Sequence, residues 1–307
     1  MLFRKLMSVL LSAVFLISTL GTASASAPET VQDRLAAVET DTYGGEQTGA
    51  IIDRINHLEK DYEGTHRTGS MMERVDALYN HLYDNASGPS IMAQLNAVEW
   101  SIEHQVSMKP VQQRITEMET TIQGKTGEGT YRQRIAKLSS YAFGSNTLPL
   151  TQVSVPANTL IKISLVTPVN AKNLKAGDTI QYKVAEDVVE NGMLLFAKGE
   201  PGTGTVTKVK QARNFGRDAE VVIDFKSTKA MDGTNVDTFV GAEAKKQMET
   251  LAMAAGASLA GIVLLGPIGV VAGIFVNGKN IDLPAGTELY IQTKADTTLY
   301  GVPMTSK

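Results

Sequence analysis

Thr48-Gly49-Ala50-Ile51-Ile52-Asp53-Arg54-Ile55-Asn56-His57-Leu58-Glu59 is followed, twenty residues on, by Thr68-Gly69-Ser70-Met71-Met72-Glu73-Arg74-Val75-Asp76-Ala77-Leu78-Tyr79. The register extends in both directions. Arg34, Arg54, Arg74, Gln94, Arg114 and Arg134 recur every twenty residues, each followed by Leu35, Ile55, Val75, Leu95, Ile115 or Ile135. Three further on come Val38, Leu58, Leu78, Val98, Met118 and Leu138, and four before the aliphatic set come Val31, Ile51, Met71, Ile91, Val111 and Tyr131. Apolar residues at i, i+4 and i+7 share one face of a helix. The spacing therefore predicts six short helices, each with one apolar stripe. Glu39, Glu59, Glu99 and Glu119 follow the stripe and are expected on its solvent side.

Glycine punctuates the units. Tyr43-Gly44, Glu63-Gly64, Gln123-Gly124 and Phe143-Gly144 stand where a helix end wants a left-handed residue. Thr48 and Thr68 offer N-caps for the next helices, and Ser87-Gly88-Pro89 does so for the fourth. Residues 94–108 carry no Gly or Pro, so one longer helix ending before Pro110 is expected there. A lone short helix cannot bury its stripe. The stripes must meet neighbouring repeats, a second copy or a partner. Twenty is not a multiple of seven, so a continuous heptad coiled coil fits poorly. The expectation is a chain of short helices with flexible joints, or a homo-oligomeric stalk that self-associates through the repeats. With 17 acidic and 11 basic residues between 28 and 148, the array reads as a spacer with a solvated acidic face rather than a ligand-binding array.

The chain has 307 residues, a net charge of −3 and no Cys. The missing Cys excludes disulfides, thiolate catalysis and Cys-ligated metals, and the acidic balance argues against a nucleic-acid partner. Residues 1–27 read as a secretory signal peptide. Arg4 and Lys5 precede an apolar run from Leu6 to Leu20, and Ala23-Ser24-Ala25 and Ala25-Ser26-Ala27 supply small-residue cleavage patterns. An uncleaved anchor is the competing reading. The expected location is outside the cytoplasm, in the periplasm or at the outer membrane.

Composition changes near Ser145 to Pro149. Period-two segments rich in Val, Ile and Thr follow at 159–166, 179–186, 193–197, 203–210, 220–226, 234–240 and 287–293. Asp232-Gly233 is a hairpin signal. Seven or so short strands at this spacing predict a small barrel or sandwich. Val155-Pro156-Ala157-Asn158-Thr159 and Leu283-Pro284-Ala285-Gly286-Thr287 echo each other as strand starts at a barrel rim.

Leu251 to Val276 is 26 residues without a charge, with small residues at close helical spacings that include Gly269-x-x-x-Gly273. Strands on both sides object to a single membrane crossing. Gly266-Pro267 lets the chain turn and return as a helical hairpin with arms 251–265 and 268–276. The hairpin either meets lipid or packs on its own domain. Membrane contact is the favoured reading, with Leu251, Ala257, Gly261, Leu264, Gly269 and Gly273 as the contact residues.

The order of features from Val155 to Leu299 resembles the C-terminal β-barrel domain of the TrbI-like family, the outer-membrane channel subunits of type IV secretion and conjugation machines. The matching residues are Pro156 to Thr159, Ala176-Gly177-Asp178, and Val184 to Val189 before Asn191-Gly192. Lys198-Gly199 with Gly204-Thr205-Val206, Asp232-Gly233 and Pro284 to Thr287 complete the set. The resemblance implies that the apolar insertion is a two-helix projection reaching into the outer membrane. Family members carry an inner-membrane helix and a proline-rich stalk, whereas this chain has a leader and helical repeats. The comparison thus implies a stand-alone envelope protein, with a channel subunit as the alternative.

No catalytic site emerges. His57, His66, His81 and His104 occupy different repeat positions and read as surface residues. Gly124-Lys125-Thr126 lacks the Gly that a P-loop needs at 119, and Gly202-Thr203-Gly204 is expected between strands rather than before a helix. The β-half has no His, which removes the usual Ser-His-Asp triad. No cofactor and no metal are implied. The expected architecture is multidomain α and β: signal peptide 1–27, helical repeats 28–147, and an all-β barrel or sandwich over 148–307 with an inserted glycine-rich helical hairpin at 246–278.

Overall fold

The structure, a computed structural model, describes residues 30–212, 218–254, 273–278 and 281–304. The expected signal peptide lies outside the described residues. Six helices come first: α1 (Val31–Tyr43), α2 (Ile51–Glu63), α3 (Met71–Tyr83), α4 (Ile91–Glu103), α5 (Val111–Gln123) and α6 (Tyr131–Phe143), each of 13 residues. The starts of α2, α3 and α4 lie three or four residues beyond the expected caps Thr48, Thr68 and Ser87. Thr30, Ser70 and Thr130 form capping boxes with Asp33, Glu73 and Gln133, and Ser90 rather than Ser87 caps α4. Gly44, Gly64, Gly124 and Gly144 close their helices at φ 92, 77, 72 and 70°, as the spacing predicts. The longer fourth helix does not form. His104 takes φ 52° and ends α4 at the common length, and Glu99 accepts the Ser107 N–H at 3.0 Å where the chain turns.

The two inner stripe positions of every repeat, from Leu35 and Val38 to Ile135 and Leu138, are at most 2% exposed. They meet in one core, with α1 against α3 and α5, α2 against α3 and α6, and α4 against α3, α5 and α6. The outer stripe position is buried only in the last three helices, at Ile91, Val111 and Tyr131; Ile51 and Met71 are 40% and 49% exposed. The expected flexible joints are therefore corrected: the helices pack directly on one another. The stripes are consumed within one chain, and the helices form a packed module.

The β-half contains β1 (Thr151–Val155), β2 (Leu160–Leu165), β3 (Val169–Asn170), β4 (Thr179–Val184), β5 (Val188–Glu190), β6 (Met193–Phe196), β7 (Pro201–Lys210), β8 (Ala219–Lys229) and β9 (Asn235–Phe239). Then come α7 (Ala242–Ala254), β10 (Gly273–Gly278), β11 (Asp282–Leu283), β12 (Glu288–Thr293) and β13 (Thr297–Pro303). Antiparallel pairing runs β8-β7-β4-β2-β12-β9 and closes from β9 back to β8, which makes a six-stranded barrel. Closure removes the open edges that a short sheet would expose. Beside it, β1-β13-β6-β5 form a second sheet, and β3 pairs β11.

Alternation drives the barrel, since every second residue of β2 and β4 is buried. Tyr182 lies at its centre, its hydroxyl donating to the Ser227 carbonyl at 2.8 Å and bonded to Thr228 Oγ1 at 2.7 Å. Gly202 makes room for that ring, because a Cβ there would overlap it. The Gly202-Thr203-Gly204 run accordingly lies inside β7 and not between strands. The 11-residue β8 uses one edge twice: residues 219–224 pair β10, and residues 227–229 pair β9. The expected second helical arm, 268–276, is corrected over its end, where Gly273 to Val276 pair in register with Asp224 to Val221 as strand.

Candidate functional site

The repeats carry a side-chain device that periodicity alone mislocates. Glu39, Glu59, Glu99 and Glu119 are not on a solvent face; they are 0%, 0%, 5% and 1% exposed. Each is gripped by the Arg fifteen residues later. Arg54 Nε and Nη2 donate to Glu39 at 2.8 and 2.6 Å, and Arg74, Arg114 and Arg134 repeat the grip on Glu59, Glu99 and Glu119. The same carboxylates accept the N–H of Gln47, Arg67, Ser107 and Gly127, eight residues on. One carboxylate thus fixes both the turn after its helix and the start of the next. Burial works against the Glu59 and Glu119 charges, but Arg74 and Arg134, with the backbone donors, outweigh it and hold both below the ordinary carboxyl range. A signal was present in the sequence. Where the Glu position becomes Tyr79, the Arg position fifteen later becomes Gln94, so both partners vanish together.

At this break the module meets the barrel. Asn85, after α3, donates to the Asp232 carbonyl at 2.9 Å and to Thr234 at 3.2 Å. From α4, Asn96 donates to Glu200 Oε1 at 3.0 Å and to the Met231 carbonyl at 3.1 Å, and Trp100 Nε1 donates to Asp187 at 3.0 Å. The Val106 N–H donates to the Lys198 carbonyl at 2.7 Å. Gly199, at φ 96°, is required there because a Cβ would collide with the Val106 carbonyl. Ala97, Val106, Leu194, Ala197, Met231 and Val302 fill the apolar part of the interface.

A cleft of about 490 Å³ runs along this junction, lined by Asp41, Tyr83, Asn96, Arg114, Glu200 and Lys229 among others. Glu200 is 1% exposed, and burial pushes its carboxyl up to about 8, with Arg114 and Lys229 pulling the other way. Asp232, also 1% exposed, is raised by burial, while the N–H groups of Tyr300 and Thr234 pull it down. Arg114 Nη2 reaches Asn96 Oδ1 at 2.7 Å, which joins the repeat network to Glu200 through one amide. Neither Glu200 nor Asn96 stood out in the sequence, since both acquire their role from pairing across more than a hundred residues.

The apolar insertion is tied to the barrel at both ends. Ala244 and Met248 of α7 are buried in the barrel core, and the Ala244 N–H donates to Gln292 Oε1 at 3.1 Å. Leu251 lies on α7, and Gly273 opens β10 opposite Asp224. Ala257, Gly261, Leu264 and Gly269 lie outside the described residues. Among the described residues, no helix is long and apolar enough to cross a membrane, and no group of three or more His, Asp or Glu is placed to hold a metal. His57, His66, His81 and His104 are all exposed.

No protein-family model and no curated protein matches the chain. Among solved structures, ComB10 of the Com type IV secretion system of Helicobacter pylori is similar over 47% of this chain and 88% of that one, at 16% identity and a TM-score of 0.25. Similarity at that level carries no argument about role.

Proposed function

We propose that this chain is a non-enzymatic, exported cell-envelope protein whose helical module and barrel form one docked body. The uncharged segment 251–276 is its membrane-contacting element, at the outer membrane or envelope surface. The observation that supports this reading is the attachment of that segment: α7 packs on β12, β10 pairs β8, and the 18 residues between them carry no charge. A folded barrel that holds both ends of such a stretch presents it as a unit. Self-association through the stripes loses its driving force once they are buried in one chain. Contact with other envelope components is therefore assigned to the barrel and its insertion. The expected outcome is that the mature protein stays with membranes through an alkaline wash, while a deletion of 246–278, Gly261→Lys or Gly269→Lys releases it. Equal release of all forms sinks the proposal.

A subunit of an oligomeric outer-membrane export or conjugation channel is the second reading, favoured by barrel closure together with the turn motifs at 156–159 and 284–287. It requires ring-shaped particles in detergent, and a strictly monomeric protein excludes it.

A further inference from the structure

The junction between module and barrel holds a carboxyl that its surroundings do not neutralise. Among the described residues, Asn96 is the one hydrogen-bond donor to the Glu200 side chain. The charged groups around it are already engaged. Glu99, on α4, is held by Arg114 of α5 at 2.6 Å, and Asp232, in the β8–β9 turn, accepts the N–H groups of Thr234 and Tyr300 at 2.9 and 2.8 Å. Lys229 of β8 lies 3.9 Å from Asp41 of α1. Closing α4 onto the barrel therefore leaves Glu200 1% exposed and under the influence of two further carboxylates, with no cation in hydrogen-bond contact among the described residues. A neutral carboxyl suits that position and an ionised one does not.

We propose that Glu200 is a proton-dependent latch between the helical module and the barrel: neutral, it lets α4 dock on the barrel, and ionised, it releases α4. The device is independent of membrane contact. An undocked Glu200 is exposed to water and titrates in the ordinary carboxyl range, whereas the docked one holds its proton to about pH 8. The docking constant then falls about tenfold for each pH unit across that window, roughly a thousandfold in all, and flattens above it.

The Val106 N–H, bonded across the junction to Lys198, reports opening. Its hydrogen exchange in the whole mature protein, corrected for the intrinsic pH dependence, is expected to lose protection about tenfold per unit from pH 5 to 8. The Gln47 N–H, bonded within the module to Glu39, is expected to stay level. Glu200→Gln keeps an acceptor for Asn96 and should abolish the slope at Val106. Lys229→Met, at a half-exposed position, removes a cation that favours the ionised form and should carry the slope to higher pH. A level Val106 profile in the wild type, a slope that survives Glu200→Gln, a shift to lower pH in Lys229→Met, or parallel loss at Gln47 each overturns the latch.

Discussion

Replacing Glu59 with Ala takes away three bonds at once: two from Arg74, at 2.9 and 2.5 Å, and the Arg67 N–H at 3.0 Å. Arg74 is left 7% exposed, with Asn56 at 2.6 Å as its remaining partner. Breaking a buried ion pair from one side costs about 3–5 kcal/mol, because the surviving charge stays desolvated. The Arg67 N–H adds to this, and the retained Asn56 bond offsets part of it, so about 4 kcal/mol is expected. Urea unfolding followed by far-UV circular dichroism measures it as a lower midpoint at unchanged slope. Replacing both partners, with Glu59→Met and Arg74→Leu, should recover most of the loss, since no unpaired charge remains. A loss below about 1 kcal/mol for Glu59→Ala is the range of exposed pairs and refutes the structural role assigned to the grip. The pH dependence has a definite sign. Glu59 and Glu119 are depressed in the folded state, so their contribution is present above the ordinary carboxyl value of 4.5 and is lost as pH falls through the lower folded values. Glu200 is raised and works in the opposite sense, favouring the docked form in acid.

Three further outcomes are expected. His104→Gly relieves the one left-handed helix end that is not glycine among the first six helices and should stabilise the module by about 1 kcal/mol, read as a higher thermal midpoint. Tyr182→Phe strands the Ser227 carbonyl and the Thr228 hydroxyl inside the barrel and should cost about 1–3 kcal/mol in denaturant unfolding. Gly199→Val drives a side chain into the Val106 carbonyl at a positive φ. It should expose the Val106 amide to exchange while the Gln47 amide stays protected.

Periodicity in the sequence determined the six helices, their glycine ends and seven of the strands. These depend on contacts three or four residues apart in helices, or on alternation along one strand, and a single chain of letters records both. His104 shows where that reading fails. The residue type does not announce a helix end, and the helix stops there as Glu99 holds the Ser107 N–H. Tertiary structure decided everything that joins distant surfaces. The repeat glutamates look solvent-facing on an isolated helix and become buried only when the next helix folds back with its Arg. Barrel closure depends on β8 switching partners along one edge, and docking depends on bonds such as Trp100 to Asp187 and Asn85 to Thr234, 87 and 149 residues apart. Such contacts have no period. They rest on shape and hydrogen-bond complementarity between surfaces that exist only after each part has folded.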